Sequence, residues 1–236
     1  QGGLGEVSGI VVQSTGAISI ITEITVSDNQ LNFADGNGSD EYGIAIFGTK
    51  SNAGALSFRG VAVDNNQLFS QATPPVAYGI LFSDGDWVTG LTNFYGVSAG
   101  DFSIQGNMIS GGGFSKKGIA VECSTTAAMV RARILEGFNI TGNQVRAGTR
   151  TQAMASIQVS VRSTTALTSR VSSIYIRDNE LLDASDFGIA FGIGDDGVAG
   201  AKFSWCRDIA ITGNTIPDCA NTTTSAGVTF VNDCTA

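Results

Sequence analysis

Apolar and polar residues alternate in a phrase of eight residues that occurs six times along the chain. Each copy begins with two apolar residues that are separated by one residue. A turn that ends in Asn follows, and the residue two positions after the Asn is apolar again. The copies occupy residues 24–31, 61–68, 102–109, 138–145, 174–181 and 209–216. Alternation with a period of two residues predicts a β-strand that buries one of its faces.

A second phrase, a short apolar strand usually led by Gly, follows each copy of the first. It occupies residues 43–46, 79–82, 118–121, 156–159, 188–191 and 227–230, with an additional copy at 9–12. The Asn residues of the first phrase are separated by 37, 41, 36, 36 and 35 positions. A unit of this length, with about three strands, cannot bury its apolar face alone, so neighbouring units must stack.

Stacking of such units predicts an all-β parallel β-helix solenoid with six to seven coils of about 36 residues and three strands per coil. Equivalent residues of adjacent coils would lie about 4.8 Å apart. The predicted inward residues are Ile24, Val26, Val61, Val63, Phe102, Ile104, Phe138, Ile140, Ile174, Ile176, Ile209 and Ile211. A β-sandwich or barrel is the alternative, but it needs antiparallel hairpins with tight turns. The constant offset between the Asn and the next apolar residue favours the β-helix.

The repeated Asn residues are predicted to form a structural ladder, which comprises Asn29, Asn66, Asn107, Asn143, Asn179 and Asn214. Asn tolerates the left-handed backbone that a sharp corner needs. Stacked amide side chains can also hydrogen-bond along a column. The Gly residues that lead the second phrase are expected at further corners. These positions are therefore interpreted as structural rather than reactive.

Charge and composition exclude several classes of function. The chain has a net charge of −8 and no histidine, so nucleic acid is not expected as a partner and Ser-His-Asp catalysis is impossible. The four cysteines form no CxxC pair, so no metal site is expected, and a Cys206–Cys219 bridge stays open. Because no run of about 18 apolar residues occurs, membrane insertion is not expected. No cofactor is expected either.

The two phrases together resemble the right-handed parallel β-helix repeat of the pectate-lyase-like superfamily, over residues 9 to 230. The resemblance implies a protein that binds or degrades polysaccharides. Long coils, and the lack of an Asp-Asp motif with a following His, make the chain most similar to a bacteriophage tailspike shaft. Such proteins are usually homotrimers on a virion surface or in the extracellular space. We expect a single β-helix domain over residues 1–236, as a piece of a longer protein.

Carboxylates are the candidate catalytic groups because histidine is absent. One predicted outward row follows the second phrases, through Phe47, Ser83, Glu122, Ser160, Gly192 and Val231. Glu122 would then lie roughly 5–9 Å from Asp84 or Asp86, the separation that paired glycosidase carboxyls use. One carboxyl would need a raised pKa to donate a proton, and Trp87 offers a flat face for a sugar ring. The alternative is that Asp84 and Asp86 only shape a loop turn.

A second predicted outward row follows the first phrases, through Ser27, Asp64, Gln105, Thr141, Arg177 and Thr212. Tyr175 points the same way as Arg177, and we interpret the two as a candidate carbohydrate-binding pair. An Arg side chain can hold the carboxylate of an acidic sugar through two hydrogen bonds. The alternative is that both are ordinary solvated residues or lie in a subunit interface.

Three functions compete on this basis. An extracellular spike that binds or degrades a polysaccharide predicts exposed carboxylates and aromatic residues along one groove. A structural shaft or adhesin segment predicts polar faces without such a groove, and an apolar subunit interface. A secreted polysaccharide lyase or epimerase predicts a Lys, Arg or Tyr base beside a calcium site.

Overall fold

The described part of the chain is built from strands that return at the spacing of the sequence repeat. The computed structural model describes residues 8–14, 19–34, 42–48, 56–71, 76–83, 97–111, 114–123, 134–146, 155–163, 168–182, 187–195, 202–217 and 226–232. Within these ranges no helix is long and apolar enough to cross a membrane.

The strands form three sheets. The Gly-strand sheet contains β1 (Ser8–Ser14), β5 (Tyr42–Gly48), β8 (Val76–Ser83), β11 (Phe114–Cys123), β14 (Ala155–Ser163), β17 (Phe187–Asp195) and β19 (Ala226–Asn232). The long-strand sheet contains β2 (Ser19–Thr22), β3 (Thr25–Ser27), β6 (Leu56–Asp64), β9 (Val97–Gln105), β12 (Ile134–Thr141), β15 (Thr168–Arg177) and β18 (Lys202–Thr212). The short-strand sheet contains β4 (Gln30–Phe33), β7 (Gln67–Ser70), β10 (Met108–Ser110), β13 (Gln144–Arg146) and β16 (Glu180–Leu182).

Each strand pairs in parallel with the strands one repeat before and after it. In the long-strand sheet, Phe138 pairs with Phe102 on one side and with Ile174 on the other. In the short-strand sheet, Val145 pairs in the same way with its equivalents in the neighbouring repeats. The chain therefore visits each sheet once per repeat and returns beside its own previous strand. This arrangement is a parallel β-helix, and it confirms the fold that the repeats predict.

Side chains from all three sheets meet in one apolar core. The predicted inward residues of the central repeats are buried, among them Phe102, Phe138 and Ile174. Only partial burial is seen for Ile24, Ile209 and Ile211. The rings of Phe102 and Phe138 stack with their centroids 4.6 Å apart. Because full burial of a large apolar side chain contributes about 1.5–3 kcal/mol, this column is a main source of stability.

The repeated Asn residues stack as a continuous hydrogen-bonded ladder inside the corner between the long-strand and short-strand sheets. Asn107 donates from its backbone N and from Nδ2 to Oδ1 of Asn143, over 3.0 and 2.9 Å. Asn143 donates in the same way to Oδ1 of Asn179, over 2.9 Å in both cases. The same two bonds link Asn29 to Asn66, Asn66 to Asn107, and Asn179 to Asn214.

Every polar group of a central ladder side chain is used. Oδ1 of Asn143 accepts both bonds from Asn107, and Nδ2 of Asn143 donates to Asn179 and to the carbonyl oxygen of Ile104, the latter over 2.8 Å. An Asn side chain has two donor hydrogens and two acceptor lone pairs, so none is left over. The exposed fraction is at most 1% for Asn66, Asn107, Asn143 and Asn179. Complete pairing makes these buried amides tolerable, and it fixes the position of each coil on the next.

The left-handed backbone of this corner belongs to the residue before each ladder Asn. Positive φ angles occur at Asp28, Asn65, Gly106, Gly142, Asp178 and Gly213. None of the ladder Asn residues has a positive φ, so the expectation that the Asn itself adopts the left-handed conformation is wrong. The left-handed conformation falls on the preceding residue because the Asn must direct both its backbone N–H and its side chain at the next Asn.

A second column of left-handed residues bends the long strands five positions earlier. It comprises Glu23, Gly60, Asp101, Gly137, Ser173 and Asp208. The residue types in this column share no single preference for positive φ, which only Gly adopts without cost. The bend therefore left no readable signal in the sequence. It divides each long strand into two segments whose outer surfaces face different directions.

The Gly residues that lead the second phrase serve close packing, so their predicted role as corners is wrong. Gly43, Gly79 and Gly118 lie inside β5, β8 and β11, and their φ angles are not positive. A Cβ atom at Gly118 would collide with Cγ1 of Val145 and would lie 2.7 Å from the carbonyl oxygen of Ser156. The missing side chain lets the short-strand sheet press its apolar residues against the Gly-strand sheet.

A second, smaller apolar cluster lies on the outer face of the Gly-strand sheet. It comprises Tyr42, Ala45, Ala77, Tyr78, Leu81 and Ala120. The two neighbours of Ala45 in the chain, Ile44 and Ile46, belong to the main core, so alternation places Ala45 on the opposite face. Apolar residues on both faces explain why the second phrase reads as a continuous apolar run rather than an alternating one.

The ladder predicts that loss of a central Asn is much more costly than loss of a terminal one. Asn143→Ala removes the partners of four buried polar groups, so we expect it to lower the free energy of unfolding by about 3 kcal/mol or more. Asn29→Ala removes only the bonds donated by one half-exposed amide, with an expected loss of about 1 kcal/mol. Equilibrium unfolding in urea measures both, and equal losses would contradict the ladder's energetic role.

The packing role of the leading Gly predicts that a single added methyl group at this position destabilises the fold. We expect Gly118→Ala to lower the free energy of unfolding by about 2 kcal/mol through overpacking. The matched control is Gly142→Asn, because a Cβ at Gly142 meets no atom within 4 Å and its φ of 65° suits Asn. The control should change stability by less than about 0.5 kcal/mol. Thermal unfolding of both variants measures the difference in their stability. If Gly118 is only a flexible position, the two variants should be equally stable.

Candidate functional site

Two rows of outward side chains lie on the long-strand sheet, between its two bends. The first row comprises Thr25, Ala62, Ser103, Asn139, Tyr175 and Ala210, and the second comprises Ser27, Asp64, Gln105, Thr141, Arg177 and Thr212. The strand pairing aligns the second row as the sequence predicts. Because neighbouring coils are about 4.8 Å apart, the six positions of a row span about 24 Å.

Tyr175 and Arg177 lie together on this surface. They alternate with the buried Ile174 and Ile176, so both side chains project outwards from β15. The guanidinium carbon of Arg177 lies 4.2 Å from the centroid of the Tyr175 ring. A guanidinium at this distance is attracted by the negative face of the ring. The cation is thus held over the aromatic ring instead of extending freely into solvent.

The neighbouring coil supplies two polar partners to this pair. Asn139 pairs with Tyr175 across the sheet, and Thr141 pairs with Arg177. The hydroxyl of Thr141 donates to Oδ1 of Asn139 over 2.6 Å. We call these four residues the Tyr175–Arg177 patch. Asn139 was not among the residues predicted to bind carbohydrate, although the 36-residue spacing to Tyr175 was a readable signal for their contact.

Other charged groups of the long-strand sheet already have partners within the protein. Arg59 lies 3.3 Å from Oε1 of Glu136 and 3.6 Å from Oδ2 of Asp101. Arg207 pairs with Asp208 over 3.6 Å. Exposed ion pairs of this kind contribute at most about 1 kcal/mol, so they serve to neutralise charge more than to stabilise the fold.

Asp64, the acidic residue of the second row, is engaged in a similar way. Its Oδ1 accepts hydrogen bonds from the hydroxyl of Ser103 over 3.0 Å and from the backbone N of Gln105 over 3.1 Å. Both donors belong to the next coil. The carboxylate therefore ties two coils together on the outer surface.

The predicted catalytic carboxylates do not fall in the part of the chain whose side chains are described. Asp84, Asp86 and Trp87 lie outside the described residues. For Glu122 the backbone alone is described, and it pairs with Ser83 in β8 and with Ser160 in β14. This is the row that the sequence predicts. The Glu122 side chain lies outside the described part, so its separation from Asp84 or Asp86 stays a prediction.

The predicted catalytic and carbohydrate-binding residues belong to different sheets. Glu122 is in β11 of the Gly-strand sheet, and Tyr175 and Arg177 are in β15 of the long-strand sheet. This placement concerns Glu122 alone among the predicted catalytic residues, because Asp84 and Asp86 lie outside the described residues. Within the described ranges, no group of three or more His, Cys, Asp or Glu residues could hold a metal ion.

Comparison with known proteins yields no relative from which a function could be transferred. The chain matches no protein-family model, no curated protein and no solved structure. The described residues establish a parallel β-helix, and the site must be interpreted from its own geometry. The Tyr175–Arg177 patch is a described surface where an aromatic ring, a cation and hydrogen-bonding groups converge.

Proposed function

We propose that this protein binds a polysaccharide through the outer face of the long-strand sheet, as part of an extracellular or virion-surface spike. The observation that carries the proposal is the Tyr175–Arg177 patch, in which an oriented aromatic ring and cation stand beside an amide and a hydroxyl. Sugar rings offer apolar faces to aromatic side chains and hydroxyls to hydrogen-bonding groups. The two rows continue on either side of the patch over about 24 Å, a length that suits an extended chain.

The resemblance of the repeats to the pectate-lyase-like superfamily supports the same class of ligand. The tailspike-like members suggest a homotrimer, with the β-helix as its shaft. This part of the proposal rests on resemblance of the repeat alone, so it is tested separately. Native mass spectrometry should report a trimer, and a stable monomer at micromolar concentration counts against a spike.

A purely structural shaft is the second candidate, and one observation favours it. Within the ladder every central amide is fully hydrogen-bonded and no group is strained. The stacking of the coils therefore needs no further partner. Such a rod needs no ligand to be useful. It predicts no measurable affinity for any glycan.

Binding by the aromatic ring is tested with Tyr175→Ala on an immobilised polysaccharide panel. We expect the variant to lose about tenfold in affinity, because a stacking aromatic ring contributes up to about 1.5 kcal/mol beyond its burial. The matched control is Phe69→Ala, which removes a 39% exposed aromatic ring from the short-strand sheet. Equal affinity of the wild type and Tyr175→Ala, or equal losses in both variants, would reject the patch as the binding site.

Polysaccharide cleavage is a separate prediction that concerns Glu122. If it forms a carboxylate pair with Asp84 or Asp86, Glu122→Gln removes either the proton donor or the ionised partner, and the release of reducing ends should fall by at least a hundredfold. The backbone and size of the residue are kept, so folding should be unchanged. Equal cleavage rates in the two proteins would exclude Glu122 from catalysis.

A further inference from the structure

The Tyr175–Arg177 patch has more hydrogen-bond donors than acceptors to receive them. Arg177 forms no ion pair with a carboxylate of the described residues, and its contact is with the ring of Tyr175. Arg59 and Arg207 lie in the same sheet, and both have carboxylate partners. Arg177 is therefore a cation that remains available in a chain whose net charge is −8.

Asn139 adds a second set of available donors beside this cation. Its Oδ1 is occupied by the hydroxyl of Thr141, so the acceptor side of the amide is turned towards its own strand. Its Nδ2 group has two donor hydrogens, and no acceptor for them lies among the described residues. Asn139 and Arg177 thus lie on adjacent coils, and both adjoin Tyr175.

Two further features prepare the patch for a ligand. Stacking on Tyr175 limits the conformations of the Arg177 side chain, which lowers the entropy cost of binding. On the far side of Tyr175 the paired residue is Ala210, so only a methyl group stands beside the ring there. Asp178 follows Arg177 in the chain at the left-handed corner, with a φ of 53°, and its Oδ1 lies beside Gly213 of the next coil.

We propose that this patch recognises an anionic substituent of the glycan, which Arg177 binds through its guanidinium while Asn139 donates from its amide. The inference rests on the proposed polysaccharide-binding function and adds the chemistry of its ligand. A guanidinium offers parallel N–H groups that match two oxygens of a carboxylate, phosphate or sulfate, and the amide of Asn139 adds a donor on the adjacent coil. The overall negative charge of the protein is screened beyond about 8 Å at physiological salt, so this contact acts locally.

The test compares charged polymers with matched neutral ones. The probes are polygalacturonate, alginate and hyaluronan with their carboxyl-reduced forms, dextran sulfate with dextran, and phosphomannan with mannan. We expect at least one charged polymer to bind about tenfold more tightly than its neutral counterpart, which corresponds to one charge-assisted contact. The arm that shows the preference identifies the anion as a carboxylate, a sulfate or a phosphate.

Variants separate this inference from the proposed function. Arg177→Ala should abolish the preference for the charged polymer, Arg177→Lys should restore part of it, and Arg146→Ala, an exposed Arg of the short-strand sheet, should leave it unchanged. Binding without any preference for charge, or a preference that survives Arg177→Ala, would overturn the anion site but leave polysaccharide binding intact. Absence of binding to every polymer would overturn both.

Discussion

A column of buried amides is the constraint on which the rest of the structure depends. Each central Asn uses all of its donors and acceptors, and each Oδ1 accepts two bonds from the coil before it. A shift of one residue in any coil would leave several buried polar groups without partners, at a cost of about 1–3 kcal/mol each. The apolar column of the core supplies most of the stability, and the same one-residue shift would also turn its alternating apolar side chains to the outer face.

The ladder also explains where the chain is free to vary. Left-handed residues stand before each Asn, and Gly residues in the Gly-strand sheet make room for the short strands. The residue types at these positions are determined by the backbone conformation of the corner and by packing in the core. The outward residues between the two bends face neither of these requirements, although Asp64 links two coils there. Tyr175, Arg177 and Asn139 lie on that unconstrained surface, which is why we assign binding to it.

The sequence predicted the stacking and the alignment of the rows through Glu122 and Arg177, because equivalent positions of a repeat pair with one another. Once Asn143 is matched to Asn107, the partner of every residue in β12 follows. The conformational details were harder to predict. Positive φ at Glu23 or Ser173 has no residue signature, and the close contact between Gly118 and Val145 appears only when two sheets meet. The pairing of Tyr175 with Asn139 was predictable from spacing, but the hydrogen bond that orients Asn139 was not.

Hydrogen exchange of the ladder tests the central claim most directly. The backbone N–H groups of Asn66, Asn107, Asn143 and Asn179 each donate to the Oδ1 of the next Asn. If the ladder holds the coils in place, these amides should exchange only when the whole solenoid unfolds, with protection equal to the global free energy of unfolding. Rapid exchange of the central ladder amides in a protein that stays folded would contradict the account.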